Sequence, residues 1–121
     1  MKTRLAIIIV AIGGAFGSLA RYRVGKWIDG KTEVSFSIGT FLINISGAFL
    51  LGICMVLNMN NNLLLFLATG FLGAYTTFST LLYEGYYLFK TQKWISVFYI
   101  TGSVIFGILA FLLGIFLVNC F

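Results

Sequence analysis

Residues 70–80, GFLGAYTTFST, interrupt a long apolar segment with a polar patch. Four of the five positions from Thr76 to Thr80 carry hydroxyl side chains, and Gly70 and Gly73 precede them. An unpaired polar group in lipid costs several kcal/mol, so such a patch is usually buried against protein, lines a pathway or holds an ion. The patch therefore predicts a transmembrane segment whose central residues pack against protein, line a pathway or hold an ion.

The same patch predicts a break in its helix. One or two Ser or Thr residues in a transmembrane helix commonly bond back to a carbonyl of the preceding turn and do no more. Four such residues that follow two glycines favour an unwound segment instead. Unwound backbone at mid-membrane offers carbonyl oxygens, which suit Na⁺. The hydroxyls are also donors, which suit an anion.

Composition indicates an integral membrane domain. The 121 residues are 60% hydrophobic and 9% charged, whereas ordinary soluble domains are about 25% charged. Apolar runs near the ~20 residues that cross a bilayer as helix predict a single-domain, all-α, multi-pass membrane protein. The four predicted spans cover residues of about 5–22, 36–57, 63–82 and 94–118.

The connections between spans are predicted to be short and polar. We expect Asp29 to lie in the first loop, and Arg21 and Glu84 to lie at the membrane interface. The predicted loops are residues 23–35, 58–62 and 90–93.

The first span has an alternative interpretation as a signal peptide. Lys2 and Arg4 precede an apolar run that ends in the small-residue sequence at 18–20. Gly13 and Gly17, four residues apart, favour a membrane span because such pairs let helix backbones approach closely. The pairs Gly14–Ser18 and Ser103–Gly107 have the same spacing.

Residue types that carry catalysis are scarce. The chain has no His, and its acids are Asp29, Glu33 and Glu84. Without His or an embedded acid, no nucleophile–base pair can be assembled, so an enzyme is the least favoured class. Cys54 and Cys120 lie in or at the end of apolar runs and are interpreted as packing residues rather than a disulfide or metal pair.

Several membrane-embedded polar residues have two interpretations. The amide of Asn44 is either an interhelical hydrogen-bonding group or a donor to a ligand. Phe78 is either a packing residue or a ring whose electropositive edge faces an anion. Tyr99 and Ser103 share one face of the last span and form either a polar track or ordinary interhelical bonds. Because four spans of this size enclose a packed interior, a transport function implies an oligomer.

The chain resembles the Fluc, or CrcB, family of fluoride channels over nearly its whole length. The matching motifs are residues 13–22 (GGAFGSLARY), 39–47 (GTFLINISG) and 70–80, in this order and spacing. The resemblance implies two antiparallel four-helix subunits of the dual-topology type, with two narrow fluoride pathways. It also implies a structural Na⁺ at the dimer centre and export of cytoplasmic fluoride, which reduces its toxicity.

The resemblance assigns roles by motif position. The backbone carbonyls of Gly73 and Thr76 would hold the Na⁺, and Thr77, Ser79 and Thr80 would line or brace the break. Donors and a ring edge would replace the water of fluoride without a fixed positive charge that traps the ion. The implied pathway residues are Asn44, Phe78, Ser79, Thr80, Tyr99 and Ser103.

Two positions depart from the family pattern. A second Phe usually follows the first by three residues, but this chain has Leu81, which offers no ring edge. The usual Gly-Gly before the hydroxyl residues is Gly73-Ala74. The missing ring puts in question whether the pathway lined by this subunit conducts normally.

Basic residues are distributed unevenly between the two ends of the predicted bundle. The end with both termini carries Lys2 and Arg4, whereas the end with loops one and three carries six basic residues. The positive-inside rule places loops one and three in the cytoplasm. A subunit that inserts both ways should be nearly unbiased, so this bias predicts a fixed orientation and a second, oppositely biased homologue as partner. The six residues are Arg21, Arg23, Lys26, Lys31, Lys90 and Lys93.

Two other membrane functions were weighed against a fluoride channel. A small four-span multidrug exporter needs an embedded Glu in its first span, and this span has no acid. A non-transporting membrane assembly protein would explain the glycines but not the hydroxyl cluster or Asn44. The expected partners are fluoride, the lipid bilayer and a second subunit of the same family, either an identical chain or a paralogue, and nucleic acid is not expected as a partner.

Overall fold

A computed structural model describes residues 2–30 and 38–121. This part of the chain contains no strand, and it has four helical stretches long and apolar enough to cross a membrane, as predicted. The helices are α1 (Lys2–Asp29), α2 (Ile38–Val56), α3 (Asn61–Leu64), α4 (Gly73–Tyr75), α5 (Phe78–Thr91) and α6 (Lys93–Cys120), with a π-helical segment, Leu65–Leu72, between α3 and α4.

The third span, Asn61–Thr91, is the composite one. Its first half comprises α3, the π-helical segment and α4, and its second half is α5. Between the halves, Thr76 (φ −78°, ψ 155°) and Thr77 (φ −149°, ψ 119°) are extended. The predicted break in the third helix is confirmed at these two residues.

Two predicted boundaries are wrong. Helix α1 continues past Tyr22 to Asp29, so the residues from 23 to 29 are helical rather than loop. The third span continues through Thr91, which places Glu84 within α5 rather than at its end. The rest of the predicted first loop and the start of the predicted second span, residues 31–37, lie outside the described residues.

The end of α1 is fastened to the beginning of α2. The Asp29 carboxylate accepts a hydrogen bond from the Gly39 backbone N–H at 2.8 Å. The first N–H groups of a helix have no partner within it, and a carboxylate there also complements the helix dipole. This contact joins the two helices across the loop end of the bundle.

Helix α1 packs backbone to backbone against the first half of the third span. A methyl group added at Gly13 would overlap the Phe66 carbonyl oxygen, and one at Gly17 would overlap the Phe71 carbonyl oxygen. One at Gly70 would lie 2.8 Å from the Val10 carbonyl oxygen. Only glycine permits this approach, which is the packing mode predicted for Gly13 and Gly17.

Helices α2 and α6 make a second close crossing. A methyl group at Gly52 would overlap the Phe111 carbonyl oxygen, and one at Gly114 would overlap the Phe49 carbonyl oxygen. The predicted pair Ser103–Gly107 behaves differently, because a methyl group at Gly107 would have no neighbouring atom within 4 Å. Gly107 therefore faces open space within the single chain.

The buried core is small and divided. One cluster joins α2 to the first half of the third span and includes Ile43, Leu72 and Tyr75. The other joins α5 to α6 through Leu81, Leu88 and Tyr99. Most other apolar side chains are exposed, as expected for a chain whose surroundings are lipid. Along the chain, the break lies between Tyr75 of the first cluster and Leu81 of the second.

Candidate ion pathway at the helix break

Asn44 of α2 holds the extended backbone at the break. Its Oδ1 accepts a hydrogen bond from the Thr77 N–H at 2.7 Å, and its Nδ2 donates to the Thr77 carbonyl oxygen at 2.8 Å. This pairing fixes which end of the amide faces which backbone atom. One of the two Nδ2 hydrogens is thus engaged, and the other remains as a donor.

Thr77 also begins the second half of the span. Its Oγ1 accepts a hydrogen bond from the Thr80 N–H at 3.2 Å and donates to the Thr80 Oγ1 at 3.0 Å. This is the N-cap arrangement, in which a side-chain oxygen satisfies a backbone donor of the first turn. The bracing role predicted for Thr77 is therefore what its contacts provide, and Thr80 keeps its own hydroxyl proton for donation.

These contacts release two carbonyl groups from the helix. In an unbroken helix, the Thr77 N–H would donate to the Gly73 carbonyl and the Thr80 N–H to the Thr76 carbonyl. Here the first N–H donates to Asn44 and the second to the Thr77 hydroxyl. The released oxygens include those of Gly73 and Thr76, the two residues that the resemblance assigns to Na⁺, and the break also separates the carbonyls of Ala74 and Tyr75 from their helical donors.

A cavity of about 390 Å³ opens beside the break. It brings together Asn44, Phe78 and Ser103 from three different helices, with Leu81 and Gly107 also in its lining. The ring of Phe78 is 65% exposed, so its edge is accessible from the cavity side. A few polar groups at a largely apolar wall give a site that donates hydrogen bonds without a formal charge.

The other predicted pathway residues lie around this cavity rather than in its lining. Ser79 is exposed, and Thr80 is held by Thr77. Tyr99 is buried in the α5–α6 cluster, and its carbonyl oxygen accepts a hydrogen bond from Ser103 Oγ at 2.7 Å. Tyr99 and Ser103 are thus adjacent on one face, as the spacing predicts, but the Ser103 hydroxyl must rotate before it can donate into the cavity.

A further polar contact was missed by the sequence interpretation. The Thr40 hydroxyl donates to the Glu84 Oε1 at 2.7 Å, and the Tyr99 side chain interacts with the same two side chains. Thr40 is buried and Glu84 is half-buried. The sequence does contain a sign of a buried polar contact here, because the acidic residue Glu84 is flanked on both sides by apolar and aromatic residues.

Comparison with known proteins gives a consistent result. Residues 8–115 match the family described as CrcB-like protein, Camphor Resistance (CrcB). The chain belongs to the CrcB family. A relative from Clostridium acetobutylicum, named fluoride-specific ion channel FluC 2, is 51% identical over 90% of this chain and 94% of its own length. The FluC 2 protein of Bacillus cereus is 44% identical over 88% and 92% of the two chains.

A third CrcB relative comes from a different bacterial group. The FluC protein of Acidobacterium capsulatum is 45% identical over 91% of this chain and 93% of its own length. The match to the CrcB family includes both glycine crossings, Asn44 and the helix break. The resemblance inferred from the sequence motifs is confirmed, and the chain is a multi-pass membrane protein. The assignment of individual residues to fluoride or Na⁺ stays a prediction.

Proposed function

We propose that this chain is a subunit of a fluoride-selective channel of the bacterial cell membrane, which exports cytoplasmic fluoride. Its relatives carry the name fluoride-specific ion channel. The observation that carries the proposal is the broken third span, whose extended residues are held by Asn44 at the edge of a cavity. The family implies a transport protein rather than an enzyme.

The cavity lining suits a small, strongly hydrated anion. Asn44 retains an amide N–H, Phe78 offers a ring edge, and Ser103 offers a hydroxyl after rotation. These groups replace water around the ion, and none carries a positive charge that would hold it too tightly. We assign Thr80 and Tyr99 to the pathway as further hydroxyl groups outside this lining, and Ser79 follows Phe78 in the chain.

The backbone at the break fits a structural Na⁺. The released carbonyl oxygens of Gly73 and Thr76 are hard, neutral donors, which Na⁺ accepts in unwound membrane helices. A second subunit related by two-fold symmetry would supply an equivalent pair. A bound Na⁺ would contribute positive potential and hold the broken helices together, and we propose that it is not transported.

A second subunit completes the channel in this proposal. The cavity is open on one side, and Gly107 in its lining has no neighbour within 4 Å of an added methyl group. We propose an antiparallel dimer. The basic bias towards loops one and three and the presence of Leu81 favour pairing with a different homologue. The numbers in the relatives' names, FluC 1 and FluC 2, are consistent with such pairs.

Fluoride efflux from liposomes that contain only this chain tests the function. Fluoride is read with a selective electrode, and chloride efflux is the control. Fast, fluoride-only efflux would establish the channel and show that identical subunits suffice. Efflux only after co-reconstitution with the homologue would establish a heterodimer, and no efflux in either preparation would contradict the proposal.

Ion replacement tests the structural Na⁺ separately. Exchange of Na⁺ for a large organic cation should reduce efflux and lower the thermal stability of the dimer. If both quantities are unchanged after exhaustive exchange, the carbonyls of Gly73 and Thr76 do not hold the ion. Selective loss of fluoride efflux with unchanged chloride leak would distinguish this effect from damage to the vesicles.

A further inference from the structure

The end of the bundle that carries loops one and three is rich in both basic and aromatic residues. Among the described residues, all of the cation–π contacts lie there. Lys26 lies 5.7 Å from the ring centroid of Tyr22, and Lys90 lies 4.6 Å from that of Tyr86. The remaining contacts pair Lys90 with Tyr87, and Lys93 with Phe89 and Trp94.

One part of this end forms a distinct cavity on α1. Its volume is about 410 Å³, and its lining consists of Tyr22, Arg23, Lys26 and Trp27. Both rings are 64% exposed. The four side chains come from adjacent turns of one helix face, so the two cations stand between two rings. The nearby Asp29 carboxylate accepts a hydrogen bond from the Gly39 N–H at the start of α2.

An apolar stripe leads away from this cavity along the same face of α1. Its members recur every three or four residues, which keeps them on one side of a helix. They span about 21 Å along the helix, which exceeds the ~15 Å hydrocarbon depth of one leaflet. This side is opposite to Gly13 and Gly17, which pack on the third span. The stripe consists of Leu5, Ile8, Ile12, Phe16 and Leu19, each about half exposed.

We propose that this face of α1 binds an anionic phospholipid. The phosphate group lies between Arg23 and Lys26, the rings of Tyr22 and Trp27 flank it at headgroup level, and an acyl chain follows Leu19 and Phe16. Charge complementarity selects the headgroup, and interfacial aromatic residues suit the boundary between headgroup and chain.

Quenching of Trp27 by brominated lipid tests the proposal. The chain has two Trp residues, so a Trp94→Phe background leaves Trp27 as the reporter. The protein is placed in phosphatidylcholine vesicles that contain a minor fraction of brominated phosphatidylglycerol or, in parallel, brominated phosphatidylcholine. We expect stronger quenching by the anionic lipid, and equal quenching by the two lipids would overturn the proposal.

A charge-matched pair of variants locates the site. Each basic side chain near the surface contributes about fivefold to anionic lipid affinity, so Arg23→Gln with Lys26→Gln should lower the phosphatidylglycerol preference about 30-fold. Lys2→Gln with Arg4→Gln removes the same charge from the other end of α1 and should leave the preference unchanged. An equal loss of phosphatidylglycerol preference in the two double variants would contradict a local site. If the double variant fails to fold, Lys26→Gln alone should give the fivefold loss.

Inorganic phosphate separates a lipid site from a simple phosphate site. We expect that an excess of inorganic phosphate at constant ionic strength leaves the quenching of Trp27 by brominated phosphatidylglycerol unchanged. Displacement of the lipid by phosphate would show that the acyl stripe contributes nothing, and it would overturn the proposal. None of these measurements depends on fluoride transport.

Discussion

The two halves of the third span are held in different ways. The first half is partly π-helical and contacts α1 backbone to backbone at Gly13, Gly17 and Gly70. The second half, α5, contacts α6 through side chains, with Ser96 Oγ donating to the Gly85 carbonyl oxygen. A glycine crossing leaves little room for adjustment, whereas side-chain contacts can rearrange. The break thus joins a fixed half to a more adaptable one.

Asn44 is the element that relates the two halves. It belongs to α2, which packs on α6 through its own glycine crossing and on the first half through Ile43. Its amide bonds both backbone groups of Thr77. One side chain from another helix therefore positions the break relative to both halves of the third span. Each of the following predictions perturbs one half of the third span or the break between the two halves.

The largest effect is expected from Gly17→Ala. The added methyl group would overlap the Phe71 carbonyl oxygen, and backbone atoms cannot move aside as a flexible side chain can. We expect destabilisation by about 3 kcal/mol or more and a large loss of monodisperse protein on size-exclusion chromatography. Gly14→Ala is the matched control, because its methyl group would lie 3.7 Å from the Gly70 carbonyl oxygen in ordinary contact. Similar yields for the two variants would show that the first half is not fixed by this crossing.

The second effect concerns the joint itself. Asn44→Ala leaves the Thr77 N–H unpaired at a cost of about 1–3 kcal/mol, removes one of the hydrogen bonds to the Thr77 carbonyl, and removes a donor from the cavity. We expect at least a tenfold loss of fluoride efflux together with a lower melting temperature. Asn44→Asp, neutral in this low-dielectric setting, keeps an acceptor for the Thr77 N–H and spends its single O–H on the Thr77 carbonyl, so it has no donor left for the cavity. It should therefore recover part of the stability and none of the efflux.

Those two readouts separate the bracing role of Asn44 from a role in the pathway. If Asn44→Asp restores stability and efflux together, Asn44 acts only as a brace. If Asn44→Ala conducts as fast as the parent protein, Asn44 is excluded from the pathway. Chloride leak through the same vesicles is the control for membrane damage.

A smaller effect is expected in the second half. Ser96→Ala removes the hydrogen bond to the Gly85 carbonyl, and interhelical bonds in membranes are worth about 0.6–2 kcal/mol. The melting temperature should fall by less than in Gly17→Ala, since α5 can adjust. Ser79→Ala removes an exposed hydroxyl from the same helix and should leave the melting temperature unchanged. If Ser96→Ala lowers the melting temperature as much as Gly17→Ala does, the two halves of the third span are equally unable to adjust.

The smallest effect is expected from Leu81→Phe. Leu81 is only 3% exposed but lines the cavity next to Phe78, so a larger ring can extend into free volume. The edge of an aromatic ring is electropositive, so we expect the added ring to raise efflux about twofold, which corresponds to roughly 0.4 kcal/mol in the barrier. Leu81→Met adds length without a ring and serves as the control. Equal efflux in the parent and both variants would mean that the position is passive.

The sequence predicted the break but not the shape of the span around it. The hydroxyl residues from Thr76 to Thr80 mark the break because lipid penalises them wherever they occur. The segment Leu65–Leu72 reads as an ordinary apolar helix, and its π-helical form accompanies a close contact with α1 that no local pattern reveals. The length of α1 was also missed, because its polar last turns resemble a loop and depend on Asp29 meeting Gly39.

The candidate site was predictable where its residues adjoin the break. Asn44 and Phe78 were identified from their types and their neighbours, and both line the cavity. The partner of Asn44 was not predicted, since its bonds to the Thr77 backbone join residues 33 positions apart. The Thr40–Glu84 hydrogen bond spans 44 positions and was missed for the same reason.

The released carbonyl groups of Gly73 and Thr76 have a consequence for the life of the protein in the cell. Each carbonyl oxygen that faces hydrocarbon without a donor or cation costs several kcal/mol. If the proposed partner and Na⁺ satisfy these oxygens, a newly inserted subunit that has not met its partner would still carry this penalty. Such a subunit would be expected to open more often and to be degraded sooner than an assembled one. Under that proposal, the abundance of each subunit would depend on the supply of its partner.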